Sequence, residues 1–294
     1  MDTQRFAEFA AFAKEEIAHG GPEPELAPIV WLTRDQTPIE KVWAAGVYCS
    51  HHCVPSAMVV WRQWRPEQLI GESSDYTRGC LHEWLAEHWD ALPVRNEMRS
   101  HRMIDKRAKC LADFALYAIQ ESWADPRMKY DEIWKDSINR VKYFGRYVAI
   151  KYMEFLRRMV RPDLILTDVR IADGAWSVRN GLALIYPETN PWMSDRDDNR
   201  EETISKAEHQ ADLLIRDVHE QFGLTLSYFD AQVLLCEFKQ MSRGTFYPGK
   251  SHDEEYDFAK RVETHFSIPE FWEARKTLFP SSVLKELHGE AAAS

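Results

Sequence analysis

The stretch TISKAEHQADLLIRDVHEQF, residues 203–222, decides the fold. Ile204, Ala207, Ala211, Leu214, Ile215 and Val218 recur at three- and four-residue steps, so one face of a helical period is apolar and the opposite face is charged. Such a helix buries one stripe against its neighbours, and Gly223 supplies the stop. The same period extends outward in both directions. Residues 3–18 align Phe6, Phe9, Ala10, Phe12, Ala13 and Ile17 and end at Gly20-Gly21-Pro22. Pro55 opens the run SAMVVWRQW as a proline in a first helical turn should. Ser73-Ser74-Asp75 is expected to cap a segment holding Trp84, Leu85 and Trp89. Residues 101–123, 142–160, 229–241 and 253–265 read as further helices. The β-rich runs Leu164–Leu166 and Thr225–Tyr228 are short enough to be connectors. The expectation is an all-α protein: a single multi-helix domain over residues 1–294, with an ordered loop around 162–176 at its middle.

Composition narrows the function. With 294 residues, 45% hydrophobic and 29% charged, the chain is ordinary globular material, neither disordered nor collagen-like. A net charge of −10 argues against sequence-blind binding to a polyanion by the chain as a whole. The charge is uneven, however. Residues 91–161 carry 16 basic and 9 acidic side chains, net +7, whereas 1–90 carry −7 and 162–294 carry −10. This central block, with Arg99, Arg102, Lys106, Arg107 and Lys142, is either a solvated face paired with nearby acids or a phosphate-tracking surface. The sequence has no P-loop, dinucleotide fingerprint, nucleophile elbow or HExxH helix. Five cysteines, an odd number, suit reduced thiols in a cytosol. The N-terminus lacks the basic region of a signal peptide, and no apolar run is long enough to span a membrane.

Four constellations can carry chemistry. In YFGRYVAIKYMEFLRR (143–158), Gly145 beside Arg146 would let a phosphate approach backbone amides, or the segment is a packed helix with exposed cations. TDVRIADGAWSVRNGLALIYPE (167–188) gathers Asp168, Arg170, Asp173, Arg179 and Asn180 around Gly174 and Trp176. Ser177 is expected to cap the helix that follows, which puts Arg179 in its first turn against the helix dipole; a bound anion would reverse that penalty. The bland alternative is a salt-bridged structural loop. CEFKQMSRGTFYPGKSHDEEYDF (236–258) sets Glu237 and Lys239 on one helix and Tyr247 and Lys250 in a turn before the next, or is simply a capped turn. YCSHHCVPS (48–56) holds two Cys and two His, but no second pair completes a tetrahedral metal set at familiar spacing, so packed thiols and polar histidines are the expectation.

Taken in order, FGRY (144–147), TDVR…GAWSVRNGLALIYPE (167–188) and LLCEFKQMSRGTFYPGK…DEEY (234–256) resemble the amino acid:DNA transferases of phage thymine hypermodification, relatives of the α-glutamyl/putrescinyl thymine pyrophosphorylases. The resemblance spans about residues 40–260. It implies an enzyme acting on double-stranded DNA whose 5-hydroxymethyluracil has been pyrophosphorylated. An amine, either an amino acid such as glycine or a polyamine, displaces pyrophosphate and forms a C–N bond at the thymine methyl carbon. Expelling pyrophosphate requires clustered cations, for which Arg146, Arg170, Arg179, Lys239 and Lys250 are candidates. Asp168 or Glu237 would deprotonate the amine. Trp176, Tyr143 or Tyr247 would stack on a flipped base, and Asn180 lies among the substrate-binding residues. Arg99, Arg102, Lys106, Arg107 and Lys142 would hold the DNA backbone. No cofactor is expected, except that Asp168 and Asp173 could share Mg²⁺ with pyrophosphate. The resemblance also implies work in the cytoplasm of a phage-infected host. The competing readings are a helical DNA glycosylase-like protein, for which the expected LPGVG-like turn is missing, and a non-catalytic DNA-binding protein.

Overall fold

A computed structural model describes residues 1–70, 79–95, 102–189 and 200–284. Among them it contains thirteen α-helices: α1 Thr3–Ala18, α2 Leu26–Leu32, α3 Pro38–His51, α4 Val54–Gln63, α5 Cys80–Glu87, α6 Ile104–Gln120, α7 Tyr130–Arg140, α8 Arg146–Met159, α9 Trp176–Ile185, α10 Arg200–Phe222, α11 Tyr228–Met241, α12 Lys250–Glu263 and α13 Pro269–Leu278. No strand occurs among the described residues, so the fold is all-α. The proposed Ser73-Ser74-Asp75 cap lies outside them. The chain gathers into two compact units, each discontinuous in sequence: Met1–Pro24 with Leu166–Ser251, and Glu25–Ile165 with His252–Ser294.

The first unit is built on α1, α9, α10 and α11. Its core joins Phe6, Phe9 and Phe12 of α1 to Val178 and Leu182 of α9, Ala211 and Leu214 of α10, and Leu235 and Phe238 of α11. Phe9 meets Phe238 edge-on, with ring centroids 5.4 Å apart. The α9–α11 contact is so close that a Cβ at Gly181 would lie 2.2 Å from the Leu235 carbonyl oxygen. Helix α1 starts where Asp2 accepts from the amides of Gln4 (3.0 Å) and Arg5 (3.1 Å). Asp2→Ala should therefore lower unfolding free energy by about 1 kcal/mol, measurable in a urea titration.

The second unit turns on α3, which packs against α4, α6 and α8. Every residue from Val42 to His51 is buried, so beyond its first turn this helix turns no side to water. A capping box starts it: the Thr37 amide donates to Glu40 Oε2 (2.9 Å) and the Glu40 amide to Thr37 Oγ1 (3.3 Å).

Helix ends depart from the sequence expectation where the backbone turns left-handed. The helix expected from 142 starts at Arg146, because Tyr143 takes φ 61° and Gly145 serves as N-cap. The helix expected over 101–123 ends at Gln120, since Glu121 takes φ 52°. The helix expected from Asp253 starts at Lys250, directly after Gly249 at φ 82°.

Candidate functional site

In the first unit, the loop before α9 is set by its own polar groups. The Arg170 amide donates to Asp168 Oδ1 at 2.7 Å, Arg170 takes φ 58°, and its guanidinium pairs with Asp173 at 2.5 Å. A residue that the sequence reading did not select clamps this loop from α10. Glu208 accepts from the amides of Val169 (3.2 Å) and Ile171 (2.6 Å), and Gln232 on α11 donates to the Val169 carbonyl at 3.1 Å. Burial pushes the Glu208 carboxyl up, and the amide bonds pull it back. Its only sequence signal is an acid beside the apolar stripe of α10.

Helix α9 then begins without the cap expected of Ser177. Ala175 holds the N-cap position and no side chain caps the end, because the helix starts at Trp176 and leaves Ser177 inside it. The Ser177 hydroxyl instead meets the Lys239 ammonium. No acidic residue stands in the first turn, whereas Arg179 does. Its guanidinium is buried, 5.5 Å from the Trp176 ring centroid, while Trp176 itself is 43% exposed. From α11, Glu237 is buried and Lys239 half-buried. Burial lowers the Lys239 pKa, and the nearby Arg243 charge lowers it further while Cys236 opposes the shift. A helix N-terminus with cations in place of the usual acids is suited to an anion.

The remaining expected residues of this unit lie in the loop before α9, on α9 itself, in the turn before α12 and at the start of α12. Asn180 is half-buried on α9, and Asp168 is half-buried in the loop. Tyr247 is 50% exposed in the turn before α12, and Lys250 donates to the Thr245 carbonyl at 2.8 Å.

The basic block lies in the second unit. Arg102 and Lys142 are exposed, Lys106 and Arg146 are half-buried, and Arg99 lies outside the described residues. Lys106 stands 5.6 Å from the centroid of the exposed Tyr143 ring. Arg107 does not belong to this surface. It is 2% exposed, its guanidinium lies 4.0 Å over Trp89, and it donates to the Leu92 carbonyl at 3.3 Å. Desolvation pulls its pKa down to about 9. Its position on α6 turns it into the core, where a phosphate cannot follow.

Sequence reading also missed a buried ionic cluster in this unit. Arg95 pairs with Glu25 and lies 3.5 Å from Glu255 and 3.6 Å from Glu254. Glu255 also accepts from the Val54 amide at the start of α4, at 3.0 Å. Burial and the Glu25 charge push the Glu255 carboxyl up to about 8, against the pull of Arg95, the Val54 amide and Arg275. Glu25 goes the other way, lowered by Arg95, Lys151 and His252 in spite of its burial. A carboxyl raised on folding contributes stability at low pH and loses it as pH rises toward the folded value. Glu255→Gln should therefore flatten the fall in melting temperature between about pH 5 and about pH 8, read by calorimetry across that range.

Among the described residues, no three His, Cys, Asp or Glu side chains gather to hold a metal ion. No helix there is long and apolar enough to cross a membrane. Cys49, Cys53 and Cys110 are buried thiols.

The family described as Amino acid:DNA transferase matches residues 99–246, half of the chain. The chain belongs to that family. The amino acid:DNA transferase match takes in α6 through α11, including the loop at 168–173, the first turn of α9, and Glu237 and Lys239. Tyr247 and Lys250 fall just beyond it. No curated protein and no solved structure matches the chain. The family name makes this transferase one that joins an amino acid to DNA.

Proposed function

We infer that the protein displaces pyrophosphate from pyrophosphorylated 5-hydroxymethyluracil in double-stranded DNA, using an amino acid such as glycine or a polyamine. The amine nitrogen bonds to the thymine methyl carbon as the carbon–oxygen bond to pyrophosphate breaks. The proton lost by the amine passes to a carboxylate, Asp168 or Glu237.

The N-terminus of α9 carries this reading. It lacks an acidic residue and a side-chain cap, has Arg179 in its first turn and receives Lys239 at Ser177. Pyrophosphate leaving from that point would be stabilised by fixed amide dipoles and the charges of Arg179 and Lys239. Trp176, exposed beside them, offers a face for a flipped base, as does Tyr247. Arg170 is engaged with Asp173, so its part is to fix the loop that presents Asp168. Lys250 would add to pyrophosphate binding, with Asn180 at the substrate. Arg102, Lys106 and Lys142 would contact DNA phosphates, together with Arg99. The reaction would take place in the cytoplasm of an infected host and need no cofactor beyond Mg²⁺ carried in with pyrophosphate.

The test is direct. The protein is incubated with DNA carrying verified pyrophosphorylated 5-hydroxymethyluracil and a panel of amines, and the nucleosides are weighed by mass spectrometry. A base heavier by the amine, with pyrophosphate released in equal amount, is the expected result. No adduct with any amine would refute the reading.

A further inference from the structure

The turn between α7 and α8, VKYFGRY (141–147), holds one residue against its own preferences. Tyr143 takes φ 61°, in the left-handed region that glycine, asparagine and aspartate fill readily and a bulky side chain does not. Its neighbours impose that conformation. Val141 and Phe144 are both 2% exposed, and the Phe144 ring is met edge-on by Phe114 at 5.2 Å and Tyr152 at 5.6 Å. Asp113 on α6 accepts from the Lys142 amide at 3.1 Å and pairs with Lys109 at 2.8 Å. With the turn anchored on both sides, Lys142 and Tyr143 are pushed outward together, and both are exposed.

Backbone strain persists only where the surrounding structure over-determines it, and strained residues gather at functional sites. Core packing is not what this one gains. The Tyr143 ring is 36% exposed, with the Lys106 ammonium 5.6 Å from its centroid. Lys142 precedes it in the chain, and α8 opens three residues later at Arg146 with no acid in its first turn. The fold thus spends strain to project an aromatic ring within a cationic setting. Such a surface fits a polyanion that also offers flat apolar faces, which describes the DNA named by the family. Phosphates alone would require only the cations; the ring requires bases.

We propose that Tyr143 enters the base stack of duplex DNA and fills the position left when a base is turned out, with Lys106 and Lys142 on the flanking phosphates. Side chains inserted between base steps unstack and kink a duplex, and a flipped base leaves a gap that a ring can occupy. Tyr143 therefore replaces the departing base in the helix; it does not grip that base. The proposal rests on the transfer reading only in that a base must leave the stack. It needs no pyrophosphate, amine or modified thymine, so the two can fail separately.

The experiment uses the full chain and two duplexes of one sequence, the first intact and the second with a single abasic residue in place of a thymine. Affinities are measured by fluorescence anisotropy over a series of salt concentrations. The unaltered protein is expected to bind the abasic duplex about tenfold more tightly at every salt concentration. Tyr143→Ala should bring that ratio to about one while leaving the slope of affinity against salt unchanged, because the phosphate contacts remain. Tyr143→Phe, which keeps the ring, should keep the preference. Tyr143→Gly is the folding control. It relieves the left-handed backbone, so it should melt within about 2 °C of the unaltered chain and still lose the preference. Equal binding of the two duplexes by the unaltered protein overturns the proposal. So does a preference retained in Tyr143→Ala or Tyr143→Gly, and so does a markedly lower melting temperature for Tyr143→Gly, since the ring would then serve the fold. A preference carried by Tyr143, in a protein that adds nothing to pyrophosphorylated DNA, would uphold this role and reject the transfer reading. Transfer without the preference would do the reverse.

Discussion

Gly181→Ala is expected to destabilise the protein by about 3 kcal/mol or more, lowering its melting temperature by roughly 5–10 °C. The added methyl would sit 2.2 Å from the Leu235 carbonyl oxygen and 2.8 Å from its carbon. Those are backbone atoms of α11 and cannot rotate away as a side-chain end would. Relief requires α9 and α11 to move apart, and both carry flanking core residues, Leu182 and Leu234, that are fully buried. The same movement would separate Ser177 on α9 from Lys239 on α11. Activity should therefore fall further than the population of folded protein accounts for. Gly145→Ala is the control. Nothing lies within 4 Å of the new Cβ there and φ is −85°, so the change should cost less than about 1 kcal/mol. Equal melting temperatures for the two variants would show that the α9–α11 contact is looser than described.

How much of this was legible in the sequence depended on whether a residue broke a pattern. The helices α1 and α10 announced themselves because each repeats apolar positions at helical spacing between charged ones. Helix α3 did not, although most of it is buried. With Val42 through His51 all in the core, that stretch turns no side to water to create a period. The same burial hid the ionic cluster. Glu25, Arg95 and Glu255 come from three distant segments, and nothing local in the chain says that they meet. Arg107 failed in the opposite sense: charge alone placed it on a DNA-facing surface, but the α6 face it occupies turns it beneath Trp89. Ser177 looked like a cap because Ser precedes an apolar run. The helix starts two residues earlier than that cap would place it, and the hydroxyl serves Lys239. In the 167–188 stretch, the crowding of charge and glycine was visible, but the clamp by Glu208 required the fold.

Lys239→Met is expected to lower kcat/KM for amine transfer by about 100-fold or more while leaving the melting temperature nearly unchanged. Lys239 is half-buried, and methionine fills its aliphatic volume without its charge. Arg179 is a poorer choice for this experiment, because at 1% exposure any replacement also disturbs the core. Inhibition by added pyrophosphate should weaken in parallel, by about tenfold, since the same ammonium would hold the leaving group and the free product. The pH dependence separates this role from a structural one. Burial and Arg243 lower the Lys239 pKa, so its charge is lost at a lower pH than that of an ordinary lysine. Transfer by the unaltered enzyme should accordingly decline on the alkaline side as Lys239 deprotonates. Lys239→Arg, which keeps its proton through that range, should move the decline to higher pH even if its absolute rate is lower. An alkaline limb at the same pH in both proteins would assign the titration to another group. Undiminished pyrophosphate inhibition in Lys239→Met would remove the N-terminus of α9 from the leaving-group site.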